Sequence, residues 1–542
     1  MRVLLINPFY PISETPSPPL GLAFLAGALE RAGNDVRILD CVVFPYSHES
    51  LASLIREFKP HMAGATAVTM TVDNALEVLD QVKALDPSVT TVIGGPHATF
   101  RATEILQSCD QVDVVACGEG EATIVALAKA LEDRSPWKKV PGITFRDGRH
   151  ITTTALPPLA DLDELAPPAR HLVPLGRYRA LGMPVSMTTS RGCPFKCIFC
   201  VGRKMVGATV RYRDPRRVVD EMEELSTLGF HQINLADDLF TANKKHCLAV
   251  CDEILRRGLE IEWTSFARVD TVSRRILEKM NRSGCTTISF GVESGSPEML
   301  KRIKKGITLD QVVQATQACL DCGIAPHTSF ILGLPGETPE TLAQTLAFGE
   351  RLKTMGVNHG YHILAPFPGT DVRERIDEYD LMILSDDWRQ YHANRAIIRT
   401  TGVSPETMDA IVMDGKRQFD QWLADIGRLR EEGRATEATA WPLVRLEHTV
   451  VIYDLMMKGL IEKKGVWRAD SSDAADTHPV DRLIHRVSGE LDHPQTRIRA
   501  AIDFAVGQRY LKQIHADRRI RWSWVDYLEA HARTPKPPPC CC

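Results

Sequence analysis

Three cysteines spaced C-x3-C-x2-C constrain this chain more than any other feature. Cys193, Cys197 and Cys200 stand in the run Ser190-Arg191-Gly192-Cys193-Pro194-Phe195-Lys196-Cys197-Ile198-Phe199-Cys200, directly after a strand-like segment at 184–189. A strand that empties into a thiol-bearing loop places soft ligands at one end of a sheet, and iron–sulfur clusters are held by such grouped cysteines. A cluster closed for electron transfer takes four cysteine ligands, whereas this run supplies three and no fourth stands nearby. One iron is then left open to a small molecule, as catalytic metal sites keep a free position. Structural zinc is the competing reading, and it normally needs a fourth Cys or His close by.

At 542 residues the chain exceeds one ordinary domain. Its formal charge of −4 gives no reason to expect a nucleic-acid or membrane partner. No apolar run approaches the length of a membrane span, and Met1-Arg2-Val3-Leu4-Leu5-Ile6 reads as a first strand rather than a signal peptide. A cytoplasmic location is expected, and the 14 cysteines in that compartment favour metal ligation or reactive thiols over disulfides.

Residues 1–140 alternate strand-like runs (3–7, 35–39, 62–68, 90–93, 112–116) with amphipathic helical stretches (20–32, 49–58, 72–85, 102–108). This predicts a doubly wound, Rossmann-like α/β domain. Such sheets bind ligands beyond the carboxyl ends of their strands. Thr69 follows the third strand, Gly94-Gly95-Pro96-His97 the fourth and Gly118-Glu119-Gly120-Glu121 the fifth. Glycine there either admits a bulky ligand close to the backbone or closes a tight turn. A dinucleotide site is an alternative, but G-x-G-x-x-G is missing after the first strand. Residues 141–184 read as a connector, with a hairpin turning at Asp147-Gly148 and extended chain around Pro157, Pro158, Pro167 and Pro168.

Residues 185–375 resume the alternation, with strands near 232–235, 262–266, 286–291, 327–332 and 361–365, which suits a partial (β/α)6 barrel. Its strand ends carry Asp237-Asp238, Arg268 with Asp270, Glu293-Ser294, and Tyr361 with His362. A carboxylate at a strand end often only caps the next helix, while the Arg268 guanidinium suits bidentate pairing with a carboxylate ligand. Cys247/Cys251 and Cys319/Cys322 read as small buried hydrophobes. Residues 376–534 carry long amphipathic patterns and predict a helical C-terminal domain, whose Arg518, Arg519 and Arg521 beside Trp522, Trp524 and Tyr527 suit either stacking on an aromatic substrate or an amphipathic helix. The tail, 535–542, ends in Cys540-Cys541-Cys542, thiols that would capture a soft metal or metalloid, reduce a cofactor, or have no role.

The cysteine loop, with Phe199 just before its third cysteine, resembles the radical S-adenosylmethionine enzymes. Pro18-Pro19-Leu20-Gly21-Leu22-Ala23, Gly94-Gly95-Pro96-His97-Ala98-Thr99 and Gly118-Glu119-Gly120-Glu121 resemble the cobalamin-binding domain of the cobalamin-dependent members. The resemblance implies a [4Fe-4S] cluster on Cys193, Cys197 and Cys200, with S-adenosylmethionine on the open iron and near Phe199, Asp238, Arg268, Glu293 and Ser294. It implies cobalamin near Thr69, Gly94, Gly95, Pro96, His97, Glu119, Gly120 and Glu121, and Tyr361 facing the substrate. The D-x-H-x-x-G motif, whose histidine ligates cobalt, is missing from residues 1–150, so the cobalamin is expected base-off with no histidine ligand and His97 at the corrin edge or backbone. In this family an electron, here expected from a flavodoxin- or ferredoxin-type reductant, cleaves S-adenosylmethionine to a 5′-deoxyadenosyl radical. The implied activity is methylation of an unactivated carbon or a phosphinate phosphorus in a small molecule or biosynthetic intermediate. Oxidative cyclisation or oxygen insertion, as in the anaerobic magnesium-protoporphyrin ester cyclase, is one alternative. Transfer of a 3-amino-3-carboxypropyl group to thiol-bound arsenic is another, and a non-catalytic cobalamin or redox sensor is a different class.

Overall fold

The computed structural model describes residues 1–10, 17–468, 478–516 and 518–528; Cys540, Cys541 and Cys542 lie outside the described residues. In the first sheet, β1 (Arg2–Asn7), β2 (Asp35–Asp40), β3 (Met62–Thr66), β4 (Thr90–Gly94) and β5 (Val114–Ala116) are parallel, in the order β2-β1-β3-β4-β5. A parallel sheet is covered on both faces, so its strands are apolar at successive positions rather than at alternate ones. Val3 and Leu5 accordingly share a core with helices Leu20–Arg31 and Gly120–Glu132, while Leu4 and Ile6 share the opposite one with His48–Phe58 and Val72–Leu85. The hairpin β6 (Ile143–Asp147) and β7 (His150–Thr153) pairs antiparallel along the free edge of β5, so this part of the connector belongs to the first sheet. Strand order reverses between β1 and β3, which opens the crevice where such sheets take ligands.

The second sheet is wholly parallel: β8 (Val185–Met187), β9 (Gln232–Leu235), β10 (Glu262–Ala267), β11 (Cys285–Glu293), β12 (Ala325–Leu332) and β13 (Asn358–Ile363), each pairing with the next in sequence. β8 and β13 end the row and do not pair with each other, which makes this an open partial barrel. Side chains alternate across it with period two. Trp263, Ser265 and Ala267 of β10 are buried beneath the helices, whereas Phe266 faces the lumen and stays 48% exposed. The amide of Ile363, on edge strand β13, donates to the Ala393 carbonyl at 2.7 Å.

The C-terminal region is helical over Pro405–Glu431, Glu437–Met457, Pro479–Ser488 and Gln495–Gly507. It also holds a small antiparallel sheet, in which β16 (Arg519–Trp524) lies between β14 (Val466–Arg468) and β15 (Leu511–Ala516). The arginine–tryptophan stretch is therefore a strand, not an amphipathic helix. Ile520, Trp522 and Trp524 alternate into the core while Arg519 and Arg521 remain exposed, so neither tryptophan offers a stacking face. No helix among the described residues is long and apolar enough to cross a membrane.

Candidate functional site

β8 runs into a short strand, Ser190–Arg191, that pairs antiparallel with Arg211–Tyr212, and the three cysteines lie on the loop between these strands. The root of the loop is fixed by Asp237, which is buried just beyond β9. Its carboxylate accepts from the Thr189 amide, the Thr189 hydroxyl and the Ser190 hydroxyl, each at 2.6 Å. Burial raises the Asp237 pKa and these donors oppose the rise. Asp238 accepts from the Gly192 amide at 3.1 Å. Gly192 has φ +119 and a Cβ there would sit 2.5 Å from the Thr209 carbonyl, so only glycine closes this turn. Further along, the Ile198 amide donates to Ile303 and its carbonyl accepts from Val372, both at 3.2 Å.

All three cysteines are free; Cys193 and Cys197 are half-buried and Cys200 is exposed. Burial pushes the Cys197 thiol up, and the Lys305 and Arg268 cations oppose it. The Cys200 sulfur accepts from the Gly202 amide at 3.4 Å. Thiolates at these positions gain from a bound metal. No three His, Cys, Asp or Glu side chains among the described residues converge on a single-ion site. The donor set, three soft ligands on one loop, suits a multinuclear cluster whose thiolates bind different irons.

Glu293 ends β11 at a register shift, with φ +72, and its Oε1 accepts from Lys305 Nζ at 2.8 Å. Both side chains are buried, at 9% and 8% exposure. Lys305 Nζ also stands 5.9 Å from the Phe199 ring. Lys305 was invisible in the sequence, where Lys304-Lys305-Gly306 reads as an ordinary basic run. Arg268 is held differently from its expected role. Its guanidinium pairs bidentately with Asp270 at 3.0 Å, donates to the Lys305 carbonyl at 2.9 Å and lies 3.5 Å from the centroid of Phe195. The fork that would match a ligand carboxylate thus grips Asp270, and Arg268 pins the cysteine loop through Phe195. Ser294 is fully buried, its hydroxyl hydrogen-bonded with Thr345 at 3.0 Å and accepting from the Ser296 amide at 3.1 Å, which makes it a tie to helix Pro339–Thr354.

Tyr361 faces away from the lumen. Pairing places Phe330 opposite Tyr361 and Ile331 opposite His362, so parity sends Tyr361 outward beneath helix Pro339–Thr354, where a Cβ on Gly349 would meet its hydroxyl at 2.1 Å. His362 and His327 take the inward positions instead, flanking Gly360, whose added Cβ would stand 3.9 Å from each Nε2. Burial lowers the His327 pKa, assisted by His362 and His359.

In the first domain, Gly94 and Gly95 close a turn. Gly95 has φ +102, and a Cβ would lie 2.7 Å from the Ala67 carbonyl, so the close approach is to this chain's own backbone. A Cβ on Gly94 would be 3.6 Å from Ala116 Cβ. Pro96 and His97 begin helix Pro96–Phe100. His97 is buried edge-on to Trp388 with ring centroids 4.8 Å apart, and its Nδ1 has no hydrogen-bond partner. Burial, then Arg101 and Arg373, hold its pKa down at about 4, so the imidazole is neutral. Thr69, also buried, opens the turn after β3. Beside it at the switch-point crevice, Phe9 and Val68 stay 37% and 46% exposed, an apolar shelf that suits a corrin face. Glu119 and Glu121, expected beside the corrin, are ion-paired across the domain boundary: Glu121 with Arg191 at 2.7 Å, and Glu119 with Arg211. Gly120 lies under Leu25, whose Cδ2 would be 3.0 Å from a Cβ.

A family model of the radical SAM superfamily matches residues 187–349, and one of the B12 binding domain matches residues 13–128. An uncharacterized methyltransferase of Pyrococcus horikoshii is 34% identical over 402 residues, covering 72% of this chain and 86% of that protein. An anaerobic magnesium-protoporphyrin IX monomethyl ester cyclase of Cereibacter sphaeroides is 32% identical over 404 residues, covering 70% of this chain and 65% of that protein. Among solved structures, the cobalamin-dependent S-adenosylmethionine radical enzyme OxsB, with aqua-cobalamin and S-adenosylmethionine bound, shares the fold with a TM-score of 0.68 at 18% identity, over 93% of this chain and 78% of its own.

Proposed function

Since this chain belongs to the cobalamin-binding radical S-adenosylmethionine enzymes, we propose that it methylates an unactivated carbon, or a phosphinate phosphorus, of a small molecule or biosynthetic intermediate. The observation that carries this reading is that the ribbon of the three-cysteine loop is ion-paired, through Arg191 and Arg211, with Glu121 and Glu119 of the domain that holds the switch-point crevice. Bound there, the cluster would supply the electron that cleaves S-adenosylmethionine, and cobalamin the methyl group that is transferred. The chain's own residues do the rest. Cys193, Cys197 and Cys200 would hold the irons, and Asp237, Asp238 and Arg268 fix the loop that carries these cysteines. Glu293 and Lys305 would border the ligand position. Phe9, Val68 and Thr69 would offer the corrin shelf, and His97 is buried and neutral against Trp388. His327 and His362 give the lumen a hydrogen-bonding wall that orients a polar substrate. A flavodoxin- or ferredoxin-type protein is the proposed reductant.

Anaerobic reconstitution with iron, sulfide and cobalamin, followed by turnover with S-adenosylmethionine, a low-potential reductant and candidate substrates, tests this reading. Deoxyadenosine together with a methylated product is the expected result, and deoxyadenosine with no methylated product refutes methyl transfer. The 32% identical cyclase favours one second reading, oxidative cyclisation or oxygen insertion, which the same assay reveals as an oxidised product without a new methyl group.

A further inference from the structure

The ribbon at the root of the cysteine loop sets Arg191 directly opposite Arg211. Residues directly opposite on an antiparallel pair project to the same face, and like charges placed so destabilise the pairing. Both arginines are largely buried, at 15% and 14% side-chain exposure, so water screens them poorly. The charges that neutralise them come from the other domain. Glu119 contacts both guanidiniums, Arg211 through two hydrogen bonds and Arg191 Nη1 at 3.6 Å, while Glu121 takes Arg191 Nη2 at 2.7 Å. The two carboxylates are themselves only 12% and 11% exposed. The quartet is neutral, and it is split between two sheets: the cations on the ribbon, the anions at the start of helix Gly120–Glu132 after β5. The same ribbon carries the loop directly, because Gly192 and Cys193 follow Arg191, and the Cys193 amide donates to the Gly207 carbonyl at 3.2 Å.

We propose that Glu119, Glu121, Arg191 and Arg211 form a charge lock that holds the cluster loop closed only while the N-terminal domain is docked, and so registers the two cofactor sites against each other. Arg191 and Arg211 are positioning residues in this scheme. It rests on the reading that the loop takes a [4Fe-4S] cluster. With the carboxylates gone, two apposed buried cations push the ribbon apart, and the loop releases its thiols. The remaining contacts of Arg211, to the Ala160 and Val206 carbonyls at 2.8 and 3.2 Å, carry no charge to compensate.

The test uses the full chain, reconstituted anaerobically, and reads the rate at which a ferrous chelator strips its iron. The Glu119→Gln/Glu121→Gln variant is expected to lose iron about tenfold faster or more, as a buried pair stripped of one partner would. The fourfold variant Glu119→Met/Glu121→Met/Arg191→Met/Arg211→Met removes the carboxylates and the cations together, and an apolar quartet of similar volume is expected to bring most of the retention back. Retention unchanged in the double variant overturns the lock. So does a fourfold-substituted variant as labile as the double, because the carboxylates would then act through something other than these arginines. A parent chain that takes up no cluster would instead overturn the functional reading on which the lock rests.

Discussion

Lys305→Met should be among the most damaging single changes near the site. Lys305 and Glu293 are 8% and 9% exposed and 2.8 Å apart, so the substitution leaves a carboxylate buried without its cation. Stranding one partner of a buried pair costs about 3–5 kcal/mol. The partner change, Glu293→Gln, strands the ammonium instead and belongs to the same range. Replacing both at once removes both charges, and that kind of exchange is close to neutral, so the double variant is expected within about 1–2 kcal/mol of the parent. The quantity that decides is the coupling between the two sites, expected to exceed about 2 kcal/mol, as for residues that share one buried network. Equilibrium urea unfolding of the four proteins measures it, provided the m-values stay equal. Additive effects, or single substitutions costing less than about 1 kcal/mol, would refute the reasoning, because the pair would then be solvated in solution.

Asp237→Ala removes three hydrogen bonds to a charged acceptor and leaves buried donors on Thr189 and Ser190, so a loss of about 3 kcal/mol or more is expected by urea melt, together with poor iron uptake. Glu337 is fully buried and accepts from the Gly333 amide at 2.7 Å, and burial lifts its pKa to about 7 from the 4.5 of a free side chain. A raised folded value means that its contribution is fully present below the unfolded pKa and is lost as pH rises through 7. Glu337→Gln should therefore gain on the parent as pH rises from 5 to 8, by at most about 3 kcal/mol, and parallel stability curves for the two proteins would count against the burial argument. Tyr361→Phe should leave product formation unchanged while His362→Ala lowers it, a contrast read by the same end-point assay, and equal losses would contradict the strand parity. Gly95→Ala places a Cβ 2.7 Å from the Ala67 carbonyl at φ +102, and thermal melts should show a loss of about 1–3 kcal/mol with the shelf disturbed.

Much of the architecture was legible in the sequence because it is written in local periodicity. Short apolar runs separated by amphipathic stretches state a covered parallel sheet wherever they fall, and both sheets appeared where that pattern put them. The cysteine loop was legible for the same reason: three ligands within eight residues need no distant partner to be recognised. What misled was parity and polarity. Tyr361 and His362 are neighbours in sequence, and only the pairing of β13 with β12 decides which one faces the lumen. Period two also governs Arg519 to Trp524, whose charges and indoles suit a helix equally well until β14 and β15 flank them.

The sequence by itself determined the cofactor-bearing elements of this protein: a thiol loop after a strand, glycine turns at sheet ends, and the order in which they come. Tertiary structure decided what the charged residues among them do. Arg268 found Asp270 and Phe195, Glu293 found Lys305, and Glu119 and Glu121 found Arg211 and Arg191 across the domain boundary. A buried charge must be paired, and the sequence tells which residues carry charge but not which opposite charge the fold will bring within reach.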